Sequence, residues 1–258
     1  KRMFEKANCT VTYLQRIEFG PLKLNDLPLG EFRALSQEEL DALKEIINIT
    51  KEYQIFDLIF YEGNLNNKKC IMVESGVGKV NAAMCVQILA DLYDVTHIIN
   101  TGVAGSLNPV LDIGDILVSK DAIQHDMDVT PLGYTKGQIP GLEQLAFVAD
   151  EKLCKTAVEV CKKVNPDIHV TEGRVVSGDQ FISSKEIKDA LIAEFHPDCT
   201  EMEGASIAQA ATLNNIPYVV IRAISDKADG SAQEDYPTFE KKAAEHCAKL
   251  VQEMMKEL

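Results

Sequence analysis

No run in this 258-residue chain approaches the ~20 consecutive apolar residues that a bilayer-spanning helix needs. Its basic start, Lys1-Arg2-Met3-Phe4-Glu5-Lys6, leads into no apolar signal core, so a cytoplasmic location is the expectation. Positive charge is in short supply: 26 Lys and Arg face 40 Asp and Glu, a net charge of −14, and the pI is about 4.8. A surface of that sign repels phosphate backbones and anionic headgroups, which argues against nucleic acid or a membrane surface as partner. The seven cysteines are odd in number and scattered, with no Cys-x-x-Cys pair, the pattern of reduced core thiols rather than of a disulfide framework. The five histidines show neither His-Glu-x-x-His nor ligand spacing beside a cysteine, so no metal site is expected. Linkers, internal repeats and low-complexity tracts are also missing, which favours one large domain over two small ones.

What is present is an alternation of strand and helix signals. Residues 1–33 carry six Lys or Arg against four Asp or Glu, whereas 34–258 carry 20 against 36, so the head differs chemically from the body. Within that head Thr10-Val11-Thr12-Tyr13-Leu14 alternates like a strand, but Pro21, Pro28 and two glycines interrupt the stretch beyond it, and the segment is left unassigned. Ser36-Gln37-Glu38-Glu39 is a capping box opening an amphipathic helix through Leu40, Leu43, Ile46 and Ile47. Strands are then predicted at 56–61, 70–73, 97–100, 115–121, 174–177, 200–202 and 218–224, with 101–106 as a loop. Helices are predicted at about 80–92, 150–164, from 183, at 205–213 and at 238–258. This order implies an α/β fold: a single domain with a mixed, mostly parallel central β-sheet flanked by helices. The chain accordingly divides into 1–33, an atypical segment, and 34–258, the α/β domain.

Chemistry-bearing residues collect at the carboxyl ends of these strands, where open α/β sheets bind ligands. Glu201 and Glu203 flank Met202 ahead of a small-residue helix, and alternate side chains of an extended segment share one side. Asp226 ends the apolar run Tyr218–Ile224, at an apolar rim where a carboxyl group can be tuned toward proton donation; Ser225-Asp226 reads equally as a helix N-cap. The Gly76-Val77-Gly78-Lys79 turn lacks the spacing of a P-loop and the third glycine of a dinucleotide fingerprint. It reads as a tight turn bringing backbone close to a ligand, with phosphate binding the lesser alternative. Thr101-Gly102-Val103-Ala104-Gly105 offers close backbone approach as well, or a plain turn. The loop from His125 to Tyr134 could wall an apolar pocket, form a subunit contact or simply be exposed. Phe181 ends another strand and could stack on a planar ring or belong to the core.

Six ordered motifs together carry a resemblance: Ser75-Gly76-Val77-Gly78-Lys79-Val80, Asn100 to Gly105, His125 to Thr130, Val176 to Ile182, Glu201 to Ala205, and Arg222 to Asp229. From about Ser36 to the C-terminus the chain resembles the 5′-methylthioadenosine/S-adenosylhomocysteine nucleosidases of the purine nucleoside phosphorylase superfamily. The resemblance implies a homodimer without metal or organic cofactor that hydrolyses the N-glycosidic bond of thio-substituted adenosines and releases adenine. It also implies roles for particular residues. Asp226, oriented by Ser225, would protonate the purine at N7; Glu203 would bind the ribose hydroxyls with Met202 against the sugar; and Glu201 would support that site. Backbone at Ile182 would meet the adenine edge while Phe181 stacks on the ring and Gly105 lets the ligand approach. Glu39, with Glu38 as its rival, would activate the water, helped by Arg222. Val77, Val129, Leu132, Phe181, Met202 and Tyr236 would form the thioether subsite, with Tyr134 and Pro140 contributed across the dimer. Two departures stand out: Val103 replaces a serine found in some members, and Leu27 to Arg33 holds a proline, a glycine and two charges where the family has an apolar first strand.

A nucleoside phosphorylase on the same fold is the nearest alternative. Phosphate needs converging cations, yet no arginine occurs between Arg33 and Arg174, and Glu38-Glu39 would repel it. A nonenzymatic nucleoside- or glycan-binding protein is a third reading, which loss of Asp226 or the glutamates would have favoured; all are retained.

Overall fold

The computed structural model describes residues 18–19, 22–23, 47–228, 246–247 and 249–258. The Thr10–Leu14 strand, the capping box with Glu38 and Glu39, Asp229, Tyr236 and the start of the predicted last helix lie outside the described residues; residues 249–257 are helical. Two short antiparallel strands, β1 (Glu18–Phe19) and β2 (Leu22–Lys23), form a ribbon in the head.

A three-stranded antiparallel sheet comes next, β3 (Asn48–Ile55), β4 (Leu58–Leu65) and β5 (Lys68–Val73). Its second hairpin closes on Asn66 and Asn67 at φ 52° and 64°, the left-handed pair that a two-residue turn matched to strand twist demands and that asparagine tolerates. The sequence reading missed β3 and began its strand at Phe56, in the turn ahead of β4. Six of the eight β3 residues are exposed, so no apolar alternation marks it. From β5 the chain turns through Gly76 and Gly78, at φ 74° and 93°, into helix α1 (Lys79–Tyr93), which buries Ala82, Cys85, Val86 and Leu89. That i, i+3, i+4, i+7 stripe packs Cys85 and Leu89 on Phe60 of β4, while Ala82 and Val86 join the main core.

The central sheet holds β6 (Ile98–Ser106), β7 (Ile116–Gln124), β8 (Phe147–Val148), β9 (Val170–Ser177), β10 (Cys199–Glu201) and β11 (Tyr218–Asp226). Strand order is β11-β6-β10-β9-β7-β8, and β11 also pairs with β7, closing five strands into a ring. Pairings β10–β9, β11–β6 and β7–β9 are parallel, whereas β10–β6, β11–β7 and β7–β8 are antiparallel. Among the described residues the sheet is therefore mixed, with as many antiparallel as parallel pairings rather than mostly parallel ones; the β10–β6 pairing arises because β6 runs on past Thr101 through Ser106, residues expected to be a loop, and lies antiparallel beside β10. Helices α2 (Glu151–Val164), α3 (Lys185–Phe195) and α4 (Gly204–Leu213) complete the described α/β domain. Asp150 caps α2 by accepting from Leu153 N at 2.9 Å, and Ser184 caps α3. All nine residues of β11 are buried, as an apolar run inside a two-sided sheet should be.

Candidate active site

β10 ends at Glu201, so the Glu-Met-Glu triplet does not share one strand face; Glu203 already occupies the N-cap position of α4. Glu201 turns into the protein. Its carboxylate accepts from Glu203 N at 3.1 Å, Gly204 N at 2.7 Å and the Ser177 hydroxyl, and from Arg222 Nε at 3.1 Å and Nη2. A negative charge at the first turn of α4 suits the orphan N–H groups and the helix dipole. Arg222, 2% exposed, also donates to Asn100 Oδ1 at 2.6 Å and to the Ile221 carbonyl at 3.1 Å. Burial works against its charge, but the Glu201 carboxylate overrides burial and holds the pKa above the ordinary arginine range. Of five guanidinium N–H groups, these bonds use four and leave one on Nη1.

Glu203 is half-buried, and its Oε1 accepts from Gly78 N at 2.8 Å, tying α4 to the glycine turn. Burial, followed by the charge of Glu201, raises its pKa. Its neighbour Met202 is half-buried.

Asp226 is 2% exposed. Its Oδ2 accepts from the Ser225 hydroxyl at 2.8 Å and its Oδ1 from Ala228 N at 2.7 Å. The second bond is the local backbone contact that a capping reading anticipates; the carboxyl also looks toward β6. A Cβ built on Gly105 would lie 2.8 Å from Asp226 Oδ1 and 2.8 Å from the Ala228 methyl, which is why only glycine fits there. Ile182 is buried and Phe181 half-exposed in the loop after β9. Val77 is exposed, Val129 half-buried, Leu132 and Pro140 exposed and Tyr134 half-buried.

Sequence reasoning missed a polar latch that binds these segments together. Lys79 Nζ donates to Asp126 Oδ1 at 2.6 Å and to Gln124 Oε1 at 3.2 Å. Lys79 N donates to Asp179 Oδ1 at 2.8 Å, and Asp179 N to Asp126 Oδ2 at 3.0 Å. Gln124 Nε2 extends the latch to Gln209 Oε1 on α4 at 2.6 Å. Burial favours the neutral form of Asp126, but the Lys79 ammonium and the Asp179 N–H win and hold its carboxyl below the usual range. Lys79, weighed as part of a phosphate cradle, is thus neutralised by Asp126, and the turn presents no free cation. The signal available in the sequence was only that each of the three residues sits beside a strand end. Glu39, Glu38 and Tyr236 lie outside the described residues.

With this geometry in place, similarity to known proteins becomes informative. The family model of the phosphorylase superfamily matches residues 30–256. A 5′-methylthioadenosine/S-adenosylhomocysteine nucleosidase of Anoxybacillus flavithermus is 39% identical over 224 residues, covering 86% of this chain and 95% of that protein. The solved structure of a nucleosidase of the same name from Neisseria meningitidis, in complex with methylthio-immucillin-A, aligns with a TM-score of 0.81 at 35% identity over 86% of this chain and 96% of that one. Futalosine hydrolase of Helicobacter pylori aligns with a TM-score of 0.80 at 34% identity, over 86% of this chain and 95% of its own.

Proposed function

The chain belongs to the phosphorylase superfamily, and on that premise we propose that it hydrolyses the N-glycosidic bond of 5′-methylthioadenosine and S-adenosylhomocysteine, releasing adenine and the 5-thio-substituted ribose. The observation that carries this reading is the Asp226 carboxyl, buried at the end of β11, held by Ser225 and Ala228 N and facing the bare Cα of Gly105. Adenine leaves poorly as an anion, so a carboxylic proton delivered to N7 is what the reaction needs. The sugar gains oxocarbenium character as the bond breaks, and the carboxylate of Glu203 stabilises that charge while its oxygens take the ribose hydroxyls. Glu201 and Arg222 act behind Glu203: the pair fixes the start of α4, and the one remaining Nη1 hydrogen of Arg222 is available to a water that Glu39 would activate. Phe181 stacks on the base, the Ile182 backbone meets its edge, and Val77, Val129, Met202 and Tyr236 serve the thioether. A cytoplasmic homodimer completes the proposal, with Tyr134 and Pro140 reaching the neighbouring site.

Water rather than phosphate as nucleophile fits the charges. The lysine of the glycine turn is bound to Asp126 and the buried arginine to Glu201, so neither is a free partner for a phosphate dianion. The relatives differ in the substituent they are named for, thioether or futalosine. Incubation with methylthioadenosine, adenosylhomocysteine, deoxyadenosine and futalosine-type nucleosides, with and without phosphate, tests the reading. Free 5-methylthioribose independent of phosphate is the expected product of the first; a sugar 1-phosphate as main product would overturn it.

A further inference from the structure

Thr200 carries a buried hydroxyl with no part in the hydrolysis as proposed. It lies in the middle of β10, 4% exposed, and its Oγ1 has no hydrogen-bond partner. A valine would fill the same space without the cost of desolvating a hydroxyl, so an orphan at this position points to a partner that is not part of the chain.

The strand register says where that hydroxyl faces. Thr200 pairs with Val176 of β9 and with Gly105 of β6, and directly paired residues project from one face of a sheet. On that face the missing Cβ of Gly105 would touch Asp226 Oδ1 and the Ala228 methyl. Val176, Ala228 and Ile182 pack in one buried cluster on the same side. The next residue, Glu201, projects oppositely and is consumed by Arg222 and Ser177. In the ring, β10 stands between β9, which leads to Ile182, and β6, which faces Asp226 across Gly105.

We propose that the Thr200 hydroxyl is a specificity-determining contact to the purine, hydrogen-bonded to its 6-substituent. The inference rests on the proposed nucleosidase function. The proposed function sets Asp226 at N7 and the Ile182 backbone at the base edge, and the edge substituent next to N7 is the one on C6. A hydroxyl both donates and accepts, so it takes a hydrogen bond from a 6-amino group and gives one to a 6-oxo group. The base subsite of this chain is accordingly built for 6-substituted purines and selects against a purine bearing only hydrogen at C6.

The test is Thr200→Val, which exchanges hydroxyl for methyl at constant shape. Steady-state hydrolysis is measured on 5′-methylthioadenosine and on its analogue lacking the 6-amino group, alongside the thermal midpoint of the ligand-free protein. We expect kcat/KM for methylthioadenosine to fall about 3- to 10-fold, the loss of one hydrogen bond, while the value for the analogue is unchanged and the midpoint does not drop. Equal losses on both nucleosides, or no loss on either, would overturn the inference. So would a lowered midpoint, which would mean that the hydroxyl is bonded within the protein. A wild-type protein that cleaves neither nucleoside would defeat the proposed function and this inference with it; an active wild type whose substrate ratio is unmoved by Thr200→Val defeats the inference alone.

Discussion

Replacing Glu201 with Gln should be among the most destabilising single changes in the described part of the molecule. The carboxylate sits in a shell of donors: Ser177 Oγ, Glu203 N, Gly204 N, and Arg222 Nε and Nη2. An amide keeps one acceptor oxygen and turns an NH2 toward a shell in which only the Ser177 hydroxyl can accept, and that oxygen already takes a bond from Ala205 N at 2.7 Å. It also leaves the guanidinium of Arg222, 2% exposed, as an uncompensated buried charge. Breaking a buried pair from one side costs ~3–5 kcal/mol, and at about 2–4 °C per kcal/mol for a chain of this size the thermal midpoint should fall roughly 6–20 °C. The double change Glu201→Leu with Arg222→Met removes both charges and should recover much of that loss, because the penalty comes from the stranded charge more than from the missing bond. Circular dichroism melts of the three proteins decide the matter. A midpoint for Glu201→Gln within roughly 2 °C of wild type, less than about 1 kcal/mol, would show that Arg222 is solvated or paired in some other way and that the reasoning is wrong.

The sequence made parts of this arrangement legible and hid others for identifiable reasons. Local signals sufficed where one segment decides the structure: the apolar run ending at Asp226 is β11, the helix expected at about 150–164 is α2, and the double-glycine turn precedes α1. They failed where a distant partner decides. β3 is polar and exposed, and pairing with β4 alone makes it a strand. Thr101–Ser106 looked like a loop because two glycines interrupt it, yet pairing with β11 and β10 holds it extended, and the close approach of Asp226 and Ala228 to Gly105 requires the second of them. Arg222 lies within an apolar run, and only the strand order that sets β6 between β11 and β10 explains its partner, 21 residues earlier. The Lys79–Asp126 bond spans 47 residues and no spacing rule could have suggested it.

Asp226→Asn should fold normally, since its amide oxygen can accept from Ala228 N while its NH2 donates to a rotated Ser225 hydroxyl, yet turnover should drop ~10²- to 10⁴-fold for want of a proton to give; near-wild-type turnover at neutral pH would exclude Asp226 as the acid. Glu39→Gln should suppress hydrolysis with ligand binding retained while Glu38→Gln has little effect, and the reverse result in the same activity and binding assays would shift the register of the first helix by one residue. Glu203→Gln should lose activity yet gain stability at neutral pH, and the sign comes from the raised pKa of Glu203. In the folded protein this group holds its proton at a pH where the unfolded chain has released it, so over that window the native state binds more protons and stability falls as pH rises. Below the unfolded value, ~4.3, both states are protonated and the charge costs nothing; above the raised folded value the full penalty applies. Glutamine still accepts from Gly78 N but never ionises beside Glu201, so the variant escapes the penalty. Denaturant melts from pH 3.5 to 8 should show the two proteins closest at the acid end and the variant pulling ahead as pH rises; a gap that stays constant across the range would mean that burial and Glu201 do not set the ionisation of Glu203.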